Sequence, residues 1–382
     1  MFFIVASLII SIACSVITLR TLVGYSDMKK SIKVVLSMIV LIGWFSSIFV
    51  RLLKHSAIIS DNVYSVLYTT SYTLFGFVFI LFCFLMIRDI FWYAIYGIAR
   101  LSGSDKWSLN PKNLSVLARA NGIVFVISLL VSGYALYEGI KVPDIKEITF
   151  YTDKISRDMR IVHLTDLHIN RTTSPSRINK IVSTINNLGA DVVVMTGDII
   201  DDDATRMEKQ LAELQGLTAS YGVYASLGNH EYYSGLGSVS YRFRKMGFPL
   251  LINRGTPVNN SGLFIAGIPD AFTAATHPTF NINIQQSLQK SHDTDYKILL
   301  AHTPDVVQSL DKSHFDLVLS GHTHGGQIFP FHYFVKKANK FLSGQYDVKG
   351  ISLYVSRGAG TWGPMMRLFA PSDITVINLL KK

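Results

Sequence analysis

Four long apolar runs occupy the first third of the chain, at residues 2–19, 32–50, 63–87 and 122–137. The first three reach the length of about 20 residues that crosses a bilayer. The fourth lengthens backwards through "LARAN" if the helix tilts or Arg119 snorkels. A cleavable leader would account for one run but not for four in succession, so the pattern predicts a helical transmembrane domain over residues 1–137. The polar stretch "EGIKVPDIKE" (138–147), with Pro143, reads as a linker. From 148 to 382 the pattern changes to short β-rich runs: "MRIVHL", "DVVVM", "GVYASL", "LFIAGI", "KILLA", "DLVLS" and "SLYVS". Helical stretches such as "SRINKIVSTINNL" and "TRMEKQLAELQGL" fall between some of them. Strands alternating with helices, then strands in closer succession, predict an α/β domain with mostly buried sheets.

Composition sharpens this reading. The 382 residues are 49% hydrophobic and 16% charged, with a mean hydropathy of +0.31, which excludes a disordered chain. The net charge is +10, and residues 1–147 hold 13 Lys and Arg against 7 Asp and Glu. That excess suits anionic lipid head groups, and no basic run is dense enough for a nucleic-acid arm. Cys14 and Cys83 both fall inside apolar runs, so no disulfide framework is expected. With four spans, Arg20, Lys29, Lys30, Lys33, Arg88, Arg100, Lys106, Lys112 and Arg119 share one side, against Arg51, Lys54, Lys141 and Lys146 on the other. The positive-inside bias then puts the second domain outside the cytoplasm, on a multi-pass protein of the cell membrane. The Arg88–Asp89 pair either lies within a longer span or opens an interfacial helix with Trp92, Tyr93 and Tyr96, and one miscounted span reverses the orientation.

Chemistry-bearing residues gather at the strand ends. "RIVHL" runs into "TDLH", with Asp166 and His168; "DVVVM" into "TGDIID", with Asp198 and Asp201; "GVYASL" into "GNHE", with Asn229 and His230. "KILLA" runs into His302, and "DLVLS" into "GHTHGG", with His322 and His324. In α/β sheets functional groups converge beyond the carboxyl ends of the strands. Each motif alone is common, and a lone Asp after a strand is more often a turn or helix cap than a ligand. Five such ends in one domain point to a metal site.

In this order the residues resemble the calcineurin-like metallophosphoesterase family, whose signature is D-x-H, G-D-x-x-D, G-N-H-[DE], a later H, and G-H-x-H. Here it reads "DLH", "GDIID", "GNHE", "AHTP" and "GHTH", over about residues 155–380. The flanking "HGGQ", "NHEYY" and "YVSRGAGTWG" resemble the membrane-attached branch of that family. That branch includes hydrolases of sugar-nucleotide lipids such as UDP-2,3-diacylglucosamine, a lipid A precursor. The resemblance implies a four-layer α/β/β/α sandwich over 148–382 and two divalent metal ions. Nitrogen and oxygen ligands without thiolate suit Mn, Fe or Zn. It implies that Asp198 bridges the ions, that Asp166, His168 and His324 complete one site, and that Asn229, His302 and His322 complete the other. Alternate residues of an extended segment point opposite ways, so His322 and His324 can serve different ions. His230 is implied as general acid or stabiliser of the leaving oxygen, and Asp201 as the group that orients it. Better-known phosphatases of the family carry Arg directly after this Asp. Asp202 stands there instead, which speaks against a protein-phosphatase activity.

Arg171, Arg357 and Arg367 are candidate contacts for a substrate phosphate, with Trp362 beside the last two; a plain surface arginine is the competing reading for Arg171, and a role in folding for Arg357, Trp362 and Arg367. His163 lies within a strand run and is expected in the core. His277, His292, His314 and His332 match no motif. The segment "FPFHYFVKKANKFLSGQY" (329–346) is expected either to rest on the lipid bilayer and admit a lipid substrate, or to be a solvated loop. The expected activity is hydrolysis of a phosphodiester or pyrophosphate bond in a lipid- or nucleotide-linked substrate. The alternative is a membrane sensor or scaffold that binds a phosphorylated ligand without turnover. A transporter is disfavoured, because the spans hold almost no charge beyond Arg88 and Asp89. UDP-linked lipids are made in the cytoplasm, so that substrate and the charge-based orientation point to opposite faces.

Overall fold

The structure is a computed structural model that describes residues 2–24, 26–54, 59–103, 110, 113–276 and 280–382. It divides into a helical unit, residues 1–137 with Gly363–Met366, and a second unit of 138–362 and 367–382.

The helical unit is built on α1 (Phe2–Leu19), α2 (Lys30–Leu52), α3 (Asp61–Leu101) and α4 (Leu114–Ile140). All four are long and apolar enough to cross a membrane. Val40, Trp44, Phe77, Val78, Leu81 and Leu85 are buried among them, with Trp44 edge-on to Phe75 and Phe82. Arg88 and Asp89 lie within α3, which runs unbroken to Leu101. Arg88 donates to Asp89 Oδ1 and Asn121 Oδ1, and Asn121 Nδ2 donates to the carbonyls of Thr21 and Leu22. Those carbonyls belong to a π-helical turn, Arg20–Gly24, whose wider spacing loosens the usual backbone pairing. The buried polar groups thus satisfy one another.

The second unit opens earlier than the polar composition of 138–147 suggests. Glu138–Ile140 closes α4 and β1 (Asp144–Thr152) begins at once, so only 141–143 lie outside an element where a linker was expected. The remaining elements follow as β2 (Met159–Leu164), α5 (Pro175–Asn186), β3 (Val192–Thr196), α6 (Glu208–Leu214), β4 (Val223–Ser226), α7 (Asn229–Tyr233) and α8 (Leu236–Met246). Then come β5 (Arg254–Pro257), β6 (Leu263–Gly267), α9 (Ala271–Thr276), α10 (Ile284–Ser287), β7 (Tyr296–Leu300) and β8 (Leu317–Ser320). The last are α11 (His332–Asn339), β9 (Gly344–Val348), β10 (Ile351–Val355) and β11 (Asp373–Lys381).

Two sheets form, in the orders β1-β11-β2-β3-β4 and β5-β6-β7-β8-β10-β9. In the first, β2, β3 and β4 are parallel, β11 runs antiparallel to β2, and β1 lies parallel to β11. In the second, β6, β7, β8 and β10 are parallel, with β5 and β9 antiparallel at the edges. Every residue of β3, β6, β7 and β8 is buried, as continuous apolar runs covered on both faces require. Ile161, Val192 and Val194 of one sheet meet Ile265, Ile298, Leu319 and Tyr354 of the other in a shared core. On the outer face of the first sheet lie α5, α6 and α8, which contribute Ile178, Ile181, Leu211, Val239 and Phe243. Val306, Val307 and Leu310 help cover the outer face of the second. This is the four-layer α/β/β/α arrangement. Its consequence is directional: the carboxyl ends of β2, β3 and β4 and those of β7 and β8 discharge their loops at one edge of the sandwich.

Candidate metal centre

Each of those loops bends immediately after its strand. Asp166, His168, Asp198, His322 and His324 all have positive φ, between 48° and 69°, a left-handed conformation that side chains with a Cβ rarely adopt. Such residues cost on the order of 1–2 kcal/mol each and persist where the surroundings over-determine them. Two glycines make the close approach feasible. A Cβ at Gly228 would overlap the Asp198 carboxylate, and one at Gly321 would overlap that of Asp166.

The side chains converge. His324 Nε2 lies 2.9 Å from His168 Nε2 and 3.4 Å from Asp166 Oδ1. His302 Nε2 lies 3.1 Å from Asp198 Oδ2 and 3.3 Å from His322 Nδ1. Asp198 Oδ2 is 3.8 Å from His168 Nε2. Three groupings are close enough to hold an ion: Asp166, His168 and His324; His168, Asp198 and His230; and Asp198, His302 and His322. Asp198 and His168 each belong to two of them. Asn229, at the start of α7, is buried and its Oδ1 has no hydrogen-bond partner.

These distances fit a metal pair. Nitrogen and oxygen ligands about 2.0–2.2 Å from an ion, at angles near 90–110°, sit roughly 3 Å apart. His302 makes the point sharply. Its Nδ1–H donates to the Thr196 carbonyl at 2.8 Å, which leaves the Nε2 lone pair facing the Asp198 carboxylate. At that distance a proton or a metal ion must lie between the two atoms. Burial lowers the His302 pKa, yet Asp198 and Asp166 outweigh it and raise it well above the ordinary value, a demand for positive charge that a metal ion meets. Burial also pushes the Asp198 carboxyl up, but His302 and His230 hold it well below the carboxylate range. His322, through burial and His302, and His324, through burial, His168 and Arg367, stay below the ordinary imidazole value and hence neutral, the ligand form.

His230 sits within reach of this group and is held from behind. Its Nδ1–H donates to Asp201 Oδ1 at 2.6 Å, while its Nε2 points back to within 3.9 Å of Asp198 Oδ2. Asp201 Oδ2 also lies 3.4 Å from His168 Nδ1, so one carboxylate sets two imidazoles. Burial opposes protonation of His230, but Asp201 and Asp198 raise its pKa to about 9.

Three residues to which the motifs assign no role complete the support. Glu231 is fully buried: its Oε1 accepts from the amides of Ile199 and Ile200, and its Oε2 from those of Asp198 and Gly228. It therefore fixes the loop that carries Asp198. Burial and the Asp198 charge push its carboxyl up to about 7, against four amide donors that favour the anion. Asp270, past β6, accepts from Thr303 Oγ1 at 2.6 Å and so secures the residue after His302. Asp373, at the start of β11, accepts from Ser356 Oγ and the Arg357 amide. Glu231 is the acid of the "GNHE" motif, whereas Asp270 of "GIPD" has only its position after a strand to draw attention to it.

The three arginines expected at a substrate phosphate fare differently. Arg171 is buried, with its Nε 3.4 Å from Asp202 Oδ2, so its charge is countered inside the fold. Arg367 is completely buried. Its nitrogens donate to the carbonyls of Gly360, His324, Ala370, Arg357 and Gly358, and Nη2 lies 3.2 Å from His324 Nδ1. Every donor is engaged, so Arg367 braces the ligand loop and has none to offer a substrate. Arg357 is half-buried, and its stem lies against Gly325 in the "GHTHGG" loop, which leaves it the one arginine of the three beside the ligands without such engagement among the described residues. His163 is a core histidine: Nε2 lies 2.7 Å from Thr196 Oγ1, and burial lowers its pKa to about 3. His292 is exposed, His314 closes a turn with Asp311, and His332 stacks on Phe329, and none of them belongs to the candidate ion groupings; His277 lies outside the described residues.

Known proteins resemble this chain. The family model described as calcineurin-like phosphoesterase matches residues 159–326. A protein of Helicobacter pylori strain J99 named an uncharacterized metallophosphoesterase is 36% identical over 78% of this chain and 80% of its own length. A transmembrane protein with metallophosphoesterase domain from Danio rerio is 30% identical over 68% of this chain and 63% of its own, and one of that name from Bos taurus is 29% identical over 81% and 73%. Among solved structures, a dimetal phosphatase from Danio rerio aligns over 53% of this chain and 88% of its own, with 14% identity and a TM-score of 0.35. On its sequence relatives the chain belongs to the calcineurin-like metallophosphoesterases, a family of metal-dependent phosphoester hydrolases.

Proposed function

We propose that this chain is a membrane-anchored phosphoesterase that hydrolyses a phosphodiester or pyrophosphate bond in a lipid- or nucleotide-linked substrate, at a site of two divalent ions. The observation that carries the reading is the position of Asp198 between two nitrogen-and-oxygen ligand sets, with His230 at their margin. Asp166, His168 and His324 would hold one ion, and Asn229, His302 and His322 the other, with Asp198 common to both. When bound, two such ions stabilise phosphoryl charge and supply a water of lowered pKa. The chain does the rest. Asp201 fixes the His230 ring, so the proton on Nε2 is aimed into the site and available to the leaving oxygen. Arg357, beside the ligand loop, is the arginine left to meet a substrate phosphate. Arg171 and Arg367 position the site from within.

The catalytic domain lies outside the cytoplasm on this reading, from the loop charges, two of which (Lys106 and Lys112) fall outside the described residues. A UDP-2,3-diacylglucosamine-type lipid remains a substrate to test and requires the opposite face. A cysteine at Ser291 in a chain lacking Cys14 and Cys83 separates the two, because an impermeant thiol reagent labels it in intact cells only if the domain is outside. Activity is tested with purified full-length chain and bis(p-nitrophenyl) phosphate. Hydrolysis should vanish with chelator, return with Mn²⁺, and be lost in Asp198→Asn. Ligand-induced stabilisation without any turnover would instead support the sensor.

A further inference from the structure

The segment directly after the ligand loop carries an exposed aromatic surface that the catalytic reading does not use. Helix α11 has no buried residue. Phe331, Tyr333, Phe334 and Phe369 are 46%, 65%, 67% and 77% exposed. Tyr333 and Phe369 lie 6.2 Å and 5.7 Å from the Phe329 ring, which also stacks on His332, and Phe331 and Phe334 form a second pair 5.9 Å apart on the same segment. Four such rings expose on the order of 400–500 Å² of apolar surface, a size that on a soluble face marks an interaction site. One turn further on, Lys336 and Lys337 are exposed without a carboxylate partner among the described residues, and Asp347 is the only acid between His324 and Gly350.

This surface is continuous with the metal centre. Gly326, the last glycine of the ligand loop, lets His332 sit where its own Cβ would be. Gln327 exchanges two hydrogen bonds of 2.9 Å with the backbone of Trp362. The Trp362 ring, 48% exposed, stands edge-on 6.5 Å from His230. Gly326 and Gln327 of the ligand loop thus connect α11 to Trp362, which stands beside the proton-bearing histidine.

We infer that the α11 face, Phe331, Tyr333, Phe334 and Phe369 with Lys336 and Lys337, docks on an anionic lipid surface and admits lipid-linked phosphodiesters to the metal centre from the bilayer. Aromatic rings beside lysines match the interface between acyl chains and anionic head groups. Three residues separate α4 from β1, no more than about 10 Å of extended chain. A second copy fits less well, because a stable interface buries about 800 Å² per partner and this patch offers roughly half of that. The substrate half of the inference rests on the proposed function; the docking half does not.

The experiment keeps the two apart. Full-length chain without Cys14 and Cys83 is labelled with an environment-sensitive fluorophore at Phe334→Cys or, as control, at the exposed Thr294→Cys, and placed in vesicles of phosphatidylcholine and phosphatidylglycerol with spin-labelled lipids. Docking predicts a blue shift and lipid quenching at 334 but not at 294. Replacing Lys336 and Lys337 by Gln should weaken docking on the order of thirty-fold. Equal iodide quenching at both sites overturns the inference, as does a blue-shifted probe that spin-labelled lipid never quenches, since protein would then cover the face. In the substrate arm, Phe331→Ser with Phe334→Ser should raise KM several-fold for a lipid-linked phosphodiester and leave bis(p-nitrophenyl) phosphate hydrolysis unchanged; equal effects on both overturn that arm. A chain that hydrolyses neither sinks the proposed function, and quenching still decides the docking.

Discussion

Replacing Glu231 by Gln is the most direct test of how the fold holds its central carboxylate. The swap conserves shape and leaves no cavity, so it isolates hydrogen-bond chemistry. The native carboxylate accepts four backbone amides, two on each oxygen. A carboxamide keeps one oxygen and presents an NH₂ group where the other stood. Two amides, those of Asp198 and Gly228 or those of Ile199 and Ile200, then face a donor in a fully buried site. A buried donor left without an acceptor costs about 1–3 kcal/mol, so the substitution should cost about 2–6 kcal/mol. For a domain of this size each kcal/mol lowers Tm by roughly 2–4 °C, which sets the expected drop at about 4 °C or more. Because Asp198 and Asn229 flank the amides that Glu231 holds, metal affinity should also fall by about 10–100-fold. Thermal unfolding of the detergent-solubilised full chain, with and without Mn²⁺, reads the first number; chelator competition with elemental analysis reads the second. If the Gln variant unfolds at the wild-type temperature and keeps its metals against the same chelator, the carboxylate does not hold the loop and the reasoning fails.

His230→Asn should lower kcat by about 10²–10⁴ with both metals retained, and Asp201→Asn should lower it less while moving the alkaline limb of the pH–rate profile to lower pH, since His230 loses the anion that raises its pKa; unchanged profiles in both would remove the proton-donor role. Gly321→Ala should strip the site of metal with little change in sheet content by circular dichroism, because the added methyl displaces Asp166; a metal-replete, active variant contradicts this. Burial holds folded His163 near 3, below its unfolded value of about 6.5, so its contribution to stability is complete above pH 6.5 and is lost as pH falls. His163→Leu should therefore lose about 2 kcal/mol less than wild type between pH 7 and pH 5 in denaturant titrations, and parallel losses would refute the assignment.

Much of this organisation is legible in the chain. The four helices lie where apolar length places them, and "MRIVHL" and "KILLA" become β2 and β7 with their ligands at the carboxyl ends. The candidate ligands are readable because they are polar groups of restricted type at strand ends. What escapes the sequence is what depends on partners without a signature. Arg367 answers to backbone carbonyls, and Glu231 to backbone amides; neither kind of partner is written in a side chain. Arg171 reads as an exposed cation until Asp202 is seen beside it. The polar run at 138–147 reads as a linker because β1 is an edge strand, whose exposed positions need no apolar alternation.

The placement of β11 bears on how the protein is made. It lies between β1 and β2, so the first strand after the membrane helices pairs only with the last strand of the chain, Asp144 opposite Asp373. At translation rates of about 5–20 residues per second, the stretch from the end of β2 to the start of β11 takes on the order of 10–40 s to emerge. Throughout that interval β1 and one edge of β2 present unpaired amides and carbonyls beside a membrane already holding the spans. The nascent domain thus needs a transient partner for these edges, and a message truncated before residue 373 yields an inserted protein whose sheet never closes. Such a product exposes the edges of β1 and β2, so closure of the first sheet depends on β11.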